Sequence, residues 1–254
     1  MLADFPTQDE LLERCAVARL PIDGTLPPEL RLYRQVDLSI YFAPLDHVNA
    51  DARVVIIGIT PGLQQARNAL IEFQRSVRAG ASRDQALRAA KSTASFSGPM
   101  RRNLVAMLDF FRVNELLRVP SCGMLFEEGN QLAHFTSMLS HPVFWHGRNY
   151  NGVPNPMKHP VLRNFVNTRL LSELEALPHA LLVPLGSTVN RIIGELARNG
   201  RLSADRILDG LEHPSGANIE RIQYLLNRKP REALSRNTNA ARIDAARARL
   251  LEKV

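Results

Sequence analysis

The sequence predicts an α/β fold, a three-layer sandwich with a central four-stranded parallel sheet. Three observations predict it. Short, nearly continuous apolar runs recur along the chain, as strands covered on both faces require. Between them lie longer stretches with apolar residues at helical spacing. Strands that alternate with helices in this way build parallel sheets. The 254 residues suffice to bury a full core, and 45% apolar with 22% charged residues is ordinary globular composition.

The elements follow in order. Residues 1–52 form an acidic N-terminal extension, with 4 Lys/Arg against 9 Asp/Glu. It opens MLADFPTQDELLERC, without a basic stretch leading into an apolar one. No secretory signal is therefore expected, and a reducing cytoplasm is the expected location. The first strand is Val54-Val55-Ile56-Ile57-Gly58-Ile59. Helices follow over 64–78 and 84–94, broken at Ala79-Gly80-Ala81-Ser82, and residues 66–93 read as a basic helical insertion. Pro99 stands in the first turn of a helix to about Phe111, where its missing N–H costs nothing. His134 to Leu139 is a further strand candidate, and 142–160, rich in Pro, Gly and Asn, reads as a long loop. A helix over 161–177 precedes the strand Ala180-Leu181-Leu182-Val183-Pro184-Leu185. Ser187 is placed to cap the helix carrying Val189, Ile192, Ile193 and Leu196. A weaker strand over 206–211, a helix over 218–226 and a basic C-terminal helix over 228–254 complete one domain, 1–254.

Composition excludes several classes of function. No apolar run approaches the ~20 residues of a membrane helix. Two cysteines, Cys15 and Cys122, cannot build a four-thiolate cluster or a Cys₄ zinc site. His141 and His146 lie five apart in a loop and His47 has no further ligands nearby, so neither a metal nor a cofactor is expected. Ser187 lacks the Gly-x-Ser-x-Gly frame of a nucleophile elbow. The net charge of +7 is uneven: −5 over 1–52, +7 over 53–213 and +5 over 214–254. From Arg67 to Arg102 eight basic residues face only Glu72 and Asp84. A polyanion partner and a solvated basic surface explain this equally well. Phe144, Trp145 and Tyr150, beside His146 and Arg148, fit either stacking on nucleic acid or plugging their loop onto the body.

Parallel sheets bind ligands beyond the carboxyl ends of their strands. Two such ends stand out. Gly58-Ile59-Thr60-Pro61-Gly62-Leu63-Gln64-Gln65 runs from strand through turn to helix, and such turns expose N–H groups that hold anions or carbonyls. It is neither a P-loop nor a GxGxxG fingerprint, and alone it is an ordinary β–α turn. His213-Pro214-Ser215-Gly216-Ala217-Asn218 follows the last strand. Histidine can donate a hydrogen bond or a proton to a departing group near neutral pH. Read alone, His213 is a loop histidine and Ser215 an N-cap.

Together and in this order the two motifs resemble those of the uracil-DNA glycosylase superfamily, which carries Gly-x-x-Pro-Gly after its first sheet strand and His-Pro-Ser after its last. Ser95-Phe96-Ser97-Gly98-Pro99 resembles the family's Pro-Phe-x-Gly segment, whose Phe stacks on a flipped base. Phe135-Thr136-Ser137-Met138-Leu139 is similar to the strand whose Asn reads the base edge. Leu182-Val183-Pro184-Leu185-Gly186 is similar to its Val-x-Leu-Gly strand. The resemblance spans about residues 53–226. It departs at the water-orienting carboxylate or amide, which falls at Thr60, at the base-reading Asn, which falls at Ser137, at the wedge Leu, which falls at Ala217, and at the bulky Tyr, which falls at Gly62.

The resemblance implies a DNA glycosylase that removes uracil or another deaminated base by hydrolysing the N-glycosidic bond. The base leaves as an anion, so a donor at its carbonyl lowers the barrier. On that reading His213 stabilises the leaving group, Phe96 stacks, and Gly58, Ile59, Pro61 and Gly62 shape the oxyanion and water pocket. Ser137 reads the base edge and Thr60 holds the water. Arg101, Arg102, Ser215 and Asn218 contact DNA, single- or double-stranded. No membrane partner is implied, and the expected state is a monomer. The competing expectation is a non-catalytic nucleic-acid or nucleotide-binding relative that keeps the base pocket.

Overall fold

The computed structural model describes residues 6–127 and 129–253. The first five residues of the acidic extension, and Val254 at the end of the expected C-terminal helix, lie outside them. In chain order the elements are α1 (Gln8–Val17), β1 (Arg31–Arg34), β2 (Leu38–Tyr41), β3 (Val54–Gly58), α2 (Leu63–Arg78), α3 (Arg83–Ala94), α4 (Pro99–Phe110), α5 (Val113–Leu117), β4 (Ala133–Ser137), β5 (Val143–Trp145), β6 (Arg148–Asn149), α6 (Pro160–Phe165), α7 (Leu171–Glu175), β7 (Leu181–Pro184), α8 (Ser187–Arg198), α9 (Ile219–Leu225) and α10 (Ala240–Lys253). Between α6 and α7, Val166–Leu170 continues the helix with a π turn.

The chain clusters into two compact units, each built from separated segments. The first takes the described part of Met1–Val48 with Ile59–Ser95 and Ser137–Ala176. The second takes Asn49–Gly58, Phe96–Thr136 and the described part of Leu177–Val254.

The first unit contains an antiparallel sheet in the order β1-β2-β5-β6. In β2, Leu38 and Ile40 are buried while Ser39 and Tyr41 are half-buried, the period-two pattern of a strand with one inner face. β2 pairs with β5 through Ile40–Val143 and Leu38–Trp145. Two expectations are corrected here. The N-terminal extension supplies half of a sheet, and the segment read as a long loop over 142–160 holds the β5–β6 hairpin. Trp145 pairs with Arg148 across His146-Gly147, and both loop residues have positive φ, 47° and 72°. Such two-residue loops match the twist of the strands they join. Strands of three and two residues are too short to leave a period in the sequence.

The expected basic insertion is a pair of helices. Ala69, Leu70 and Phe73 of α2 meet Ala86, Leu87, Ala90 and Ala94 of α3, joined by Leu11, Leu12 and Cys15 of α1. The alanines let the axes approach closely, and burying each Leu or Phe contributes about 2 kcal/mol. α3 starts where the sequence places its break: Ser82 Oγ accepts from the Gln85 N–H, and the Gln85 side chain accepts from the Ser82 N–H, a capping box.

The second unit holds the sheet β4-β3-β7. β3 and β7 run parallel, in register from Val54–Leu181 to Ile57–Pro184. All of β3 is buried, as its unbroken apolar run requires. The molecule is thus mixed α/β, with a three-stranded parallel sheet and a separate antiparallel one. The expected fourth parallel strand, 206–211, makes a single bridge, Ile207 with Leu182. Two backbone bonds flank it, Leu208 N–H to Leu182 O at 2.8 Å and Gly186 N–H to Leu211 O at 2.9 Å. Gly210, at φ 114°, turns the chain between them. A Cβ there would lie 3.0 Å from the Cβ of Ala246 in α10, so only glycine fits.

α4 begins at Pro99 behind Gly98, and its Leu104, Met107 and Leu108 pack with Val54, Ile56 and Phe111 in the core of this unit. α8 is capped by Gly186, with Ser187 as its first residue rather than its cap. The C-terminal helix is shorter than expected. Residues 228–239 form no α-helix, because Pro230 interrupts it and Glu220 draws the segment onto α9. The Glu220 carboxylate accepts from the Ser235 N–H at 3.1 Å, the Ser235 hydroxyl at 2.6 Å and Lys229 Nζ at 2.9 Å. Among the described residues no helix is long and apolar enough to cross a membrane.

Candidate functional site

The residues expected to carry chemistry fall in both units. Ile59, Thr60, Pro61, Gly62 and Ser137 belong to the first, and Gly58, Phe96, Arg101, Arg102, His213, Ser215 and Asn218 to the second.

In the second unit the His213 loop is braced from several sides. The Ser215 N–H donates to His213 Nδ1 at 3.3 Å. A ring nitrogen that accepts carries no proton, so the neutral imidazole bears its proton on Nε2. Burial pushes the His213 pKa below its ordinary value, which keeps the ring neutral near pH 7. Asn218 Nδ2 donates to the His213 carbonyl at 2.9 Å and to Ser215 Oγ at 3.3 Å. Asn103 of α4 donates to the Pro214 carbonyl at 2.9 Å. Gly186, at φ 83°, lets the loop come close: a Cβ there would lie 3.1 Å from His213 Cβ.

Asn190 of α8 joins the two chain ends beneath this loop. Its Nδ2 donates to Gly186 O at 2.8 Å and Pro184 O at 3.1 Å, and its Oδ1 accepts from Gly210 N–H at 2.7 Å. Sequence reasoning missed Asn103 and Asn190, and offered Glu212 only as an alternative holder of the water. The available signal was an Asn on an otherwise apolar helix face, where its propensity is poor.

Phe96 has φ 47°, a left-handed conformation that costs energy in a residue with a side chain. Its ring is 6% exposed within the apolar cluster of the unit. It stands 6.0 Å from Phe135, which stacks on Phe126 at 4.8 Å. The Arg101 guanidinium lies 4.7 Å over the Phe126 ring, so this expected DNA contact is packed against the fold. Arg102 is exposed, and Gly58 is buried at the end of β3.

In the first unit the turn after β3 is internally bonded. Thr60 Oγ1 donates to the His141 carbonyl at 2.7 Å and accepts from the Val143 N–H at 3.1 Å. The Gly62 N–H donates to Gln65 Oε1 at 3.0 Å, and the Leu63 N–H to Asn149 Oδ1 at 2.9 Å. Of the N–H groups expected to hold an oxyanion, that of Gly62 therefore already has a side-chain partner, as does its neighbour at Leu63. The Asn149 amide also stands 3.4 Å from where a Gly62 Cβ would be. Ile59 O accepts from Leu139 N–H at 2.9 Å, which ties the turn to the residues just after Ser137.

Several polar side chains are buried in the otherwise apolar interior of this unit. His141 is 2% exposed between Phe42 and Phe165, each ring 5.5 Å away. Neither of its ring nitrogens has a hydrogen-bond partner, and burial pushes its pKa down to about 3. Asp46 Oδ2 is also buried without a partner, although Arg169 stands 3.6 Å from Oδ1. Lys91, 8% exposed, reaches Glu173 at 3.5 Å and donates to the His47 carbonyl. Among the described residues no three His, Cys, Asp or Glu side chains are placed to hold a metal ion.

No family model matches the chain, and no solved structure matches it. It is similar to a protein of Bacillus subtilis (strain 168) named "Uncharacterized protein YoxB", with 34% identity over 224 residues that cover 87% of this chain and 88% of that one. At that identity and coverage, the chain belongs to the same protein family as YoxB.

Proposed function

We propose that the chain is a DNA glycosylase that removes uracil or another deaminated base, with the bridge at Ile207 as the remnant of a fourth parallel strand. One observation carries the reading: the Ser215 N–H donates to His213 Nδ1 at 3.3 Å, which leaves the proton of the neutral ring on Nε2. A departing base needs a donor at its carbonyl oxygen as negative charge builds there. A neutral ring, preorganised and partly desolvated, supplies that hydrogen bond without first reorganising. Extruding the base costs a few kcal/mol, which stacking and pocket contacts offset. Phe96 is 6% exposed in the apolar cluster, so on this reading its ring must leave the core to stack on a base. The basic balance of +7 over 53–213 and +5 over 214–254 supports a polyanion partner. A cytoplasmic monomer belongs to the same reading.

The second reading is a binder built on the same pocket. It is favoured by Thr60, which stands where the family has a carboxylate or amide and whose proton is already donated to His141 O. Single-turnover base release from oligonucleotides carrying uracil, hypoxanthine or xanthine separates the two. The enzyme releases one of these bases, and His213→Ala slows release by about 10²–10³, as for loss of one oxyanion donor, while DNA affinity stays the same. DNA binding without release of any base establishes the binder and overturns the enzyme.

A further inference from the structure

The geometry points to Glu212 as a positioning residue for His213, held by arginines of α9 and α10. The part concerning rate rests on the glycosylase reading. Glu212 precedes His213 and is 4% exposed. A carboxylate at that depth is costly unless it is paired. Arg242 of α10 donates to Oε1, and Arg221 of α9 stands 3.8 Å from Oε2, at ion-pair distance. Arg221 donates to Asn218 Oδ1, and Asn218 Nδ2 donates to the His213 carbonyl at 2.9 Å. The path from Glu212 through Arg221 and Asn218 thus closes on the next residue of the chain.

Arg242 is the fixed end of that path. Its N–H donates to Asn239 Oδ1 at 3.0 Å in the first turn of α10. Ile243 and Leu250 anchor the helix in the apolar cluster, and Ala246 packs against Gly210. The hydrogen bond from Arg242, with the charge of Arg221 beside it, holds the Glu212 carboxylate and with it the chain from which the imidazole projects. A donor must hold its position within about 0.5 Å to act, and a misplacement of about 1 Å can cost 10²-fold in rate. On this account the C-terminal helix belongs to the machinery that aims His213.

The test uses the full chain with ¹⁵N-labelled histidine, and the variants Glu212→Gln, Arg242→Ala and Arg242→Lys. The parent shows one tautomer, with His213 Nδ1 unprotonated. Glu212→Gln and Arg242→Ala give a mixture of tautomers or broadened ring signals, and base release slows by about tenfold or more with DNA affinity unchanged. Arg242→Lys restores most of both. The double variant is no slower than the slower single one, because the residues act as one network. Parental ring signals in Glu212→Gln overturn the assignment. If the parent itself releases no base, the glycosylase reading fails, and the ring spectra still decide whether Glu212 positions His213. Should Arg242→Ala not fold, Glu212→Gln and Arg242→Lys decide it.

Discussion

The turn Thr60–Gly62 follows β3 and the loop Glu212–Asn218 follows a segment that makes a single bridge with β7, and the two are bonded on different plans. At the turn, the side-chain hydroxyl and two backbone N–H groups are bonded to their own unit: Thr60 to the 141–143 segment, Gly62 to Gln65 and Leu63 to Asn149. At the loop, the hydrogen bonds fall on the backbone and on Nδ1 of the imidazole. Ser215 N–H, Asn218, Asn103 and the chain at Gly186 fix its position and leave the Nε2 proton over. One motif holds structure together and the other presents a donor. What distinguishes them is the polar capacity left after folding, which a residue string does not record.

The largest effect that tests this contrast lies at Thr60. Thr60→Val keeps the shape and removes both hydrogen bonds. The Val143 N–H and the His141 carbonyl are then left on residues that are 1% and 2% exposed. Each buried group without a partner costs about 1–3 kcal/mol, so for the two groups urea unfolding should show a loss of about 2–6 kcal/mol. Thr60→Ser keeps the hydroxyl and should cost less than about 1 kcal/mol. A Val variant as stable as the parent would remove the structural role and break the contrast.

Much of the fold was legible in the sequence because burial on both faces leaves a long apolar signature. Val54 to Gly58, Leu181 to Pro184, the α2–α3 pair and α4 all appear where the runs and caps place them. The antiparallel sheet was illegible because its strands are two to four residues long and carry charge and turn residues. The fourth parallel strand failed at Gly210, where close packing of α10 outweighs the apolar run. Of the site, the positions of His213 and Thr60 could be read from their neighbours, but the use of their polar atoms could not. Asn103, which donates to the Pro214 carbonyl, and Asn190, which ties Pro184 and Gly186 to Gly210, lie in no motif.

A second way to sharpen the comparison uses pH, because both units bury a histidine. The His141 pKa is about 3 against 6.5 when unfolded, and burial is the main cause, with Arg169 second. A depressed folded pKa means that the unfolded chain takes up the proton first as pH falls. The parent therefore loses stability below pH 6.5, and the loss continues to about pH 3. At pH 5 it amounts to about 2 kcal/mol relative to neutral pH. His141→Leu, set between Phe42 and Phe165, abolishes this slope. The stability difference between variant and parent should shift by about 2 kcal/mol in the variant's favour between pH 7 and pH 5. Asp46, whose carboxyl burial pushes up, titrates in both proteins and cancels in the difference. A difference that is constant with pH would mean that His141 is protonated or hydrated inside the fold.

The smallest effect concerns two adjacent arginines that repeat the contrast within one helix. Arg101 lies over the Phe126 ring and is partly buried, and burial pushes its pKa down. Arg102 points to solvent. If the positive surface of the second unit meets phosphates, each neutralised phosphate releases a counterion and steepens the salt dependence of binding. Arg102→Ala should then flatten the slope of log K against log salt by about one unit and weaken binding alike on all sequences. Arg101→Ala should leave that slope nearly unchanged. Its effect should fall on stability, by about 1 kcal/mol, through loss of the cation–π contact and of the packing of its stem. Salt titrations of DNA binding and urea melts on the two variants separate these outcomes. Equal changes in slope would place both guanidinium groups on phosphate and show that Arg101 leaves Phe126 when DNA binds. A flat salt response in the parent would instead make Arg102 part of a solvated surface, and the positive charge of this unit would then carry no information about its partner.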